Sequence, residues 1–438
     1  MNRRASAYIE GIRHQIINYR RDFHKHPEVG WTEFRTASII ARRLTELGFD
    51  VKLGQDVVSD KDRMGLPTEE ELDYHFTRAI EQGADEEFIR PLKGGYTGVV
   101  GTLNLGEGPV VALRFDIDAL KVNESNLDEH FPSRIGFSSL NEGIMHSCAH
   151  DCHAAIGLGV AEALANFKDE IANAGVIKLI FQPAEEGVRG AKSMVGAGVL
   201  DDVDYVIGGH MMAMKSGQLV CGANGFMATT KLDVTFKGLS AHAGGAPNEG
   251  KNSMLAACTA VLNVNSIPRH AEGASRINVG KLDSGTDRNV IAEDSFMKME
   301  IRGETNKINQ YAEEYVHRII ESSAKMHDVD YKIDYMGAAP SGRCSENLIQ
   351  RVKKVGEELG CFNEVIESSN AAAGSEDFIY MMNKVQENNG EGVYFMVGSN
   401  KVSGHHTSLF DIDESDLIKA VRLYVSLTFD LIGVNTNG

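Results

Sequence analysis

Val176 to Gly187 reads VIKLIFQPAEEG, a largely apolar, β-rich run that breaks at Pro183 and leads straight into two glutamates. A short apolar run bounded by proline reads as a buried strand, and here it delivers a pair of carboxylates to the strand's carboxyl end. Upstream, PVVALRFDIDAL (109–120) repeats the pattern and ends in Asp116 and Asp118, and VVGTLNL (99–105) is a third run of the same kind. Helical stretches such as AAIGLGVAEALANF (154–167) separate the runs. This alternation predicts an α/β sheet, and in such sheets ligands collect at the carboxyl ends of the strands.

Towards the N-terminus, TEFRTASIIARRLTEL (32–47) has apolar residues at helical spacing and stops at Gly48, and FDVKLG alternates as a strand does. Residues 56–93 are highly charged and helix-prone, and read as a solvated surface insertion. From about Phe226 the texture changes to strand, helix, two strands, helix, strand, the split βαβ order of a ferredoxin-like unit. This predicts a second domain over 226–339 inserted into a first formed by 1–225 and 340–438. After Pro340 come a helix over 347–359, the strand VYFMVG and a last helix from Glu414.

The chain has 438 residues, enough for two or three domains with well-buried cores, and a net charge of -18. With no polybasic run, that charge repels a phosphate backbone, so nucleic acid is excluded as a partner. The first residues lack an apolar signal-peptide core, and no apolar run is long enough to span a bilayer. These features predict a cytoplasmic protein with no membrane partner. Six cysteines over such a length are not a disulfide framework. Cys221, Cys258, Cys344 and Cys361 read as small core residues, while Cys148 is available as a thiolate.

HSCAHDCH (146–153) gathers metal-capable side chains. Cys148 and His150, one residue apart, share a side only if the backbone there is irregular or extended; alone they also fit a buried thiol beside a solvent-facing imidazole. Glu185 and Glu186 repel each other unless a cation or shared proton relieves them, or else they form an exposed acidic helix start. His210 follows an apolar strand and two glycines in VDYVIGGHMM, and SGHHTSLF offers His405 and His406. One thiolate, one carboxylate and three imidazoles at strand ends or loops suit two adjacent divalent ions, with a second glutamate beside them.

RRDFHKHPE, LRFDIDAL, MHSCAHD, FQPAEEG, GLSAHAGGAP, RNVIAE and GSEDF occur in the order seen in the M20 metallopeptidase family, and the chain resembles its aminoacylase and amidohydrolase branch over nearly its whole length. RMGLP, NGFMATTKLD, EGASRINVG and GHHTSLFDIDE narrow the resemblance to members that cleave p-aminobenzoyl-glutamate. The resemblance implies a zinc-peptidase-like catalytic domain, with a central mixed sheet flanked by helices and an inserted ferredoxin-like α+β dimerisation or lid domain. It implies Cys148, His150, Glu186, His210 and His406 as ligands of two divalent metal ions, Mn or Zn, with Glu185 as general base. It implies His242 as an oxyanion donor that reaches the active site of the partner subunit, and Asn289 and Arg302, on the two middle strands of the inserted domain, as contacts to a substrate carboxylate. Arg302 has the alternative of pairing with a neighbouring acid. Asp118 is expected to orient a ligand imidazole, with His146 and Asp151 open to the same role, and His153 to begin the next helix. The implied reaction is cleavage of the amide bond of a small N-acyl amino acid, p-aminobenzoyl-glutamate first, with a general N-acyl-amino-acid deacylase, a hippurate-type hydrolase or a subunit active only with a related partner chain as the alternatives. The implied assembly is a homodimer, or a heteromer with a related subunit, through the inserted domain. The family usually has glycine where Ala149 and Cys152 stand, and Cys152 reads as a packed side chain.

Overall fold

The computed structural model describes residues 2–171, 173–370, 374–400 and 402–434. Among these, twelve strands form two sheets in two compact units. The first unit comprises 1–224, 343–372 and 377–438, and the second comprises 225–342 and 373–376.

The first unit is built on an eight-stranded sheet. Its strands are β1 (Asp50–Leu53), β2 (Val99–Asn104), β3 (Val110–Asp116), β4 (Val176–Gln182), β5 (Tyr205–Ala213), β6 (Gln218–Ala223), β11 (Glu364–Ser369) and β12 (Glu391–Ser399). They run in the order β1-β2-β4-β3-β5-β12-β6-β11. The sheet is mixed: β4, β3, β5 and β12 are mutually parallel, while β2 and β6 pair antiparallel with β4 and β12. The helix His150–Phe167 is buried on nearly every side, between the sheet and the helices Arg13–Lys25 and Leu417–Leu431. Its small residues explain the close approach: a Cβ at Gly157 would lie 2.6 Å from the Phe181 ring.

The second unit is a four-stranded antiparallel sheet of β7 (Ala228–Lys237), β8 (Ser275–Ser284), β9 (Asp294–Gly303) and β10 (Asp330–Ala339), in the order β10-β7-β9-β8. The helices Ser253–Asn265 and Asn306–Met326 bury their apolar stripes on it, and Val234, Phe236, Met297, Val316 and Ile320 form its core. With its βαββαβ chain order this is the ferredoxin-like topology.

Four expectations need correction. His210 does not follow its strand but lies inside β5, which continues to Ala213. Asn289 is not on a strand but in the β8–β9 connection; Arg302 is on β9. The 56–93 segment is not a merely solvated excursion: its helix Glu69–Glu81 turns charge outward, but Val57, Val58, Leu72, Ala79, Ile89 and Leu92 are buried. Charge density masked an apolar stripe there. Cys258 is exposed rather than a core residue, Cys344 and Cys361 are half-buried, and Cys152 is fully buried in the main core. Among the described residues no helix is long and apolar enough to cross a membrane.

Candidate metal centre

The turn after β4 carries Glu185 and Glu186, and it is tightly held. Glu33 accepts a hydrogen bond from the Ala184 N–H at 2.7 Å, and Asp377 of the GSEDF stretch accepts from Gly190 N and Ala191 N at 3.0 and 2.9 Å. The chain doubles back so closely that a Cβ at Gly190 would lie 1.7 Å from the Pro183 carbonyl oxygen. Asp118, just beyond β3, grips the same turn: Oδ1 accepts from Glu185 N and Oδ2 from Glu186 N, both at 3.0 Å. The His150 ring also leans on it, with Nδ1 2.9 Å from the Asp118 carbonyl oxygen and 3.2 Å from Oδ1. One aspartate therefore fixes the backbone of two candidate residues and the ring of a third.

His150 opens its helix directly after Ala149, whose φ of +69° lies in the left-handed region. This is the position where glycine is usual in the family, and an alanine there costs about 1 kcal/mol. The sharp bend gives Cys148 and His150 the irregular backbone that lets both face one point. His406 also has a positive φ, +62°, and its N–H donates to the Ser147 carbonyl oxygen at 2.8 Å, tying the last histidine loop to the Cys148 segment.

Cys148 Sγ lies 3.6 Å from His210 Nε2, 3.4 Å from His406 Nε2 and 3.7 Å from His405 Nδ1. Two sets of donor atoms, Cys148 with His150 and His210 and Cys148 with Glu186 and His406, each fall within 4.8 Å of one another, and both contain the thiol. His150, Glu185 and Glu186 form a third such set. The structure thus brings together Cys148, His150, Glu185, Glu186, His210 and His406, with Asp118 behind them.

The electrostatics of this cluster call for positive charge. Burial pushes the His150 imidazole down, yet Asp116, Asp118 and Cys148 hold it well above its ordinary range. Burial, then Glu186, pushes the Cys148 thiol well up, so a thiolate there requires a cation. His210 is held well below its ordinary value by burial and by His153 and His405, which keeps it a neutral imidazole. His150 Nε2 and Glu186 Oε1 are buried without a hydrogen bond. Lone pairs left unused on buried atoms, in a set of sulfur, nitrogen and carboxylate donors, fit divalent cations.

Three residues around the cluster escape a reading of the site from sequence. Asp116 accepts from His153 Nδ1 at 2.5 Å and from Arg114 Nη1 at 2.5 Å, and His150 Nε2 is 3.8 Å from it. His153 lies in the first turn of its helix, and its Nε2 accepts from Met211 N at 2.9 Å, locking β5 beside His210. The alternation Asp116-Ile-Asp118 is the available signal, since strand periodicity sends both carboxylates to one side. The third, Asp377, is visible in the sequence only as part of the GSEDF motif.

His146 and Asp151 do not orient a ligand ring. His146 is buried with neither ring nitrogen hydrogen-bonded. Asp151 belongs to another cluster, where its Oδ2 accepts from Arg20 Nε at 2.9 Å and from His24 Nδ1 at 2.8 Å. His24 Nε2 and His130 Nε2 both reach Glu124 Oε1, at 2.9 and 2.8 Å. His24, Glu124 and His130 are also close enough to hold a metal, but a proton already supplies the cation. Burial lowers His24, and the bonds to Asp151 and Glu124 overcome it, raising its pKa from 6.5 to about 8. Because the folded value is raised, the stabilisation is complete below pH 6.5 and is lost as pH rises through 8, on the order of 2 kcal/mol. Chemical denaturation of the metal-free chain should show that loss between those values, and His24→Gln should flatten it; an unchanged pH dependence in the variant contradicts the assignment.

In the second unit, His242 is exposed and its Nδ1 accepts from Gly244 N and Gly245 N at 3.1 and 2.9 Å, so Nε2 carries the proton. The Ala243 N–H donates to the Asn289 carbonyl oxygen at 3.0 Å, which sets Asn289 beside this loop. Arg302 pairs with Glu300, Nε to Oε1 and Nη2 to Oε2 both at 3.2 Å.

A mixed α/β sheet whose central strands gather a thiol, imidazoles and paired carboxylates at one end has the donor set of a metal-assisted hydrolase. The chain belongs to peptidase family M20/M25/M40, whose profile matches residues 112–430. It is 45% identical over 419 residues to the indole-3-acetyl-aspartic acid hydrolase of Enterobacter agglomerans, covering 95% of this chain and 96% of that one. It is 44% identical, with the same coverage, to a subunit of the p-aminobenzoyl-glutamate hydrolase of Escherichia coli strain K12. The crystal structure of the aminobenzoyl-glutamate utilization protein from Klebsiella pneumoniae superposes with a TM-score of 0.84, at 39% identity and 97% coverage of both chains.

Proposed function

We propose that the chain is a metal-dependent amidohydrolase that cleaves the amide bond of an N-acyl amino acid, with two divalent ions held by Cys148, His150, Glu186, His210 and His406. The observation that carries this reading is the sharing of Cys148 Sγ by two donor sets, His150 with His210 and Glu186 with His406. When bound, the ions supply Lewis acidity to the amide carbonyl and acidify water. Glu185 takes the proton that water releases and hands it to the leaving nitrogen. Asp118 sets the aim of Glu185 through its backbone N–H and of His150 through its ring. His242, with its proton on Nε2, is the proposed donor for the oxyanion in the site of a partner subunit, a role that follows from the family resemblance. The thiolate favours zinc by softness, while the carboxylate and imidazoles also suit manganese.

Both named relatives act on an aromatic acyl group joined to an acidic amino acid. The substrate proposed is therefore p-aminobenzoyl-glutamate, cleaved to p-aminobenzoate and glutamate. Asn289 and Arg302 are the proposed grips on its carboxylates, with Arg302 exchanging its Glu300 partner for substrate. Assembly with a second copy or a related subunit is proposed through the second unit. There β8 is a sheet edge, and Leu255 and Leu262 of the helix Ser253–Asn265 are 51% and 74% exposed. A turnover panel tests the assignment: p-aminobenzoyl-glutamate and indole-3-acetyl-aspartate should exceed hippurate and N-acetyl amino acids in kcat/KM by at least about tenfold, the scale of one net hydrogen bond. A preference for hippurate would make the chain a hippurate-type hydrolase, and a preference for acetyl substrates a general N-acyl-amino-acid deacylase.

A further inference from the structure

His405 and His406 stand side by side at Cys148 Sγ, yet their hydrogen bonding separates their roles. A ligand imidazole must turn a bare nitrogen to the metal, and the structure arranges this for His150 and His210. The Nδ1 atoms of those two rings donate to the Asp118 and Met211 carbonyl oxygens, at 2.9 and 2.8 Å, which leaves Nε2 on each as the nitrogen a metal takes, in place of any proton there. His405 is wired the opposite way. Its Nε2 accepts from the Ala213 N–H at 3.2 Å, and a backbone N–H can only donate. The ring proton of the neutral imidazole is therefore on Nδ1, the nitrogen that lies 3.7 Å from Cys148 Sγ. The ring is clamped in that pose by packing against His210 and Phe410, with centroids 5.4 and 4.7 Å away.

We infer that His405 is a positioning residue whose Nδ1–H donates a hydrogen bond to the Cys148 sulfur, holding it as a thiolate in place between the two cation positions; it is not itself a metal ligand. The inference rests on the reading of Cys148 as the shared ligand. A thiolate serving two cations donates much electron density, and an N–H directed at it withdraws part of that density and orients the remaining lone pairs. The arrangement also accounts for a second histidine beside the one proposed to bind.

The test uses the full chain loaded with cobalt(II), whose sulfur-to-cobalt charge-transfer absorption reports directly on Cys148. His405→Leu removes the donor. His405→Asn keeps an N–H near the position of Nδ1 and controls for loss of the ring. Cobalt stoichiometry, the charge-transfer band and the apparent cobalt Kd are measured on all three proteins. His405→Leu should keep both ions, shift the band to longer wavelength because the sulfur is no longer electrostatically stabilised, and weaken cobalt binding about tenfold or more, as loss of a partner behind a ligand does. His405→Asn should remain near the wild type in band position and affinity. Loss of one ion from His405→Leu would make His405 a ligand and overturn the inference. So would a band that does not move, or an asparagine variant that shifts as far as the leucine one. A wild-type protein with no sulfur-to-cobalt band overturns the metal-centre reading itself, and this inference with it.

Discussion

Glu185→Gln should lose about 10³- to 10⁴-fold in kcat while still holding two metal ions, the scale at which general acid–base groups contribute. The two glutamates of the turn are neighbours in sequence, and the roles proposed for them differ. Glu186 Oε1 is buried without a hydrogen bond, 3.5 Å from His406 Nε2, within a donor set that contains Cys148. Glu185 Oε2 lies 3.8 Å from His150 Nε2, in a set with His150 and Glu186. Both backbones are fixed by Asp118, so an amide at 185 should leave the turn unchanged. The corresponding Glu186→Gln should instead lower metal content together with activity. Plasma emission analysis of the purified variants, set beside their turnover, separates the two roles. Glu185→Gln with substantial turnover, or with a missing ion, would remove it from the proton-transfer step.

Cys148→Ala should empty both metal positions and bring activity to background. A ligand that served one ion would leave the other bound; a shared one cannot. Sγ is within 3.4–3.7 Å of three imidazole nitrogens, so deletion leaves His150 with His210 and Glu186 with His406 as pairs with too few donors for tight binding. Thermal melts supply an independent reading. A metal at about 100 times its Kd stabilises the folded chain by about 2.7 kcal/mol through mass action, so added metal should raise the wild-type Tm and leave that of Cys148→Ala unmoved. A variant that retains one tight equivalent and part of the thermal shift would mean that Cys148 serves a single ion.

Much of this arrangement is legible in the primary structure because its signals are local. The break from apolar strand to Pro183 and two glutamates marks the turn, and split βαβ texture marks the ferredoxin-like unit. What stays hidden depends on groups brought together across the fold. β11 is short and partly exposed, so it carries no strong apolar run. The two glycines before His210 imitate the end of a strand. In fact Gly208 and Gly209 are strand residues packed against the Tyr394, Phe378 and Phe395 rings of neighbouring elements. The resemblance singles out His406 over His405 by motif position, but the hydrogen bond of the Ala213 N–H to His405 Nε2, which supports that choice, joins residues 192 apart in the chain. The Arg20, His24, Asp151 and Glu124 cluster likewise joins the start of the chain to the helix His150–Phe167, leaving no trace in the local pattern.

The central claim is that one thiolate stands between two cations. Anomalous diffraction from crystals of the full chain grown with manganese or zinc measures this directly. The account predicts two peaks, both within coordination distance of Cys148 Sγ, one also contacting His150 and His210 and the other Glu186 and His406. A single peak closed off by four protein ligands, or two peaks of which only one touches Cys148, would contradict it.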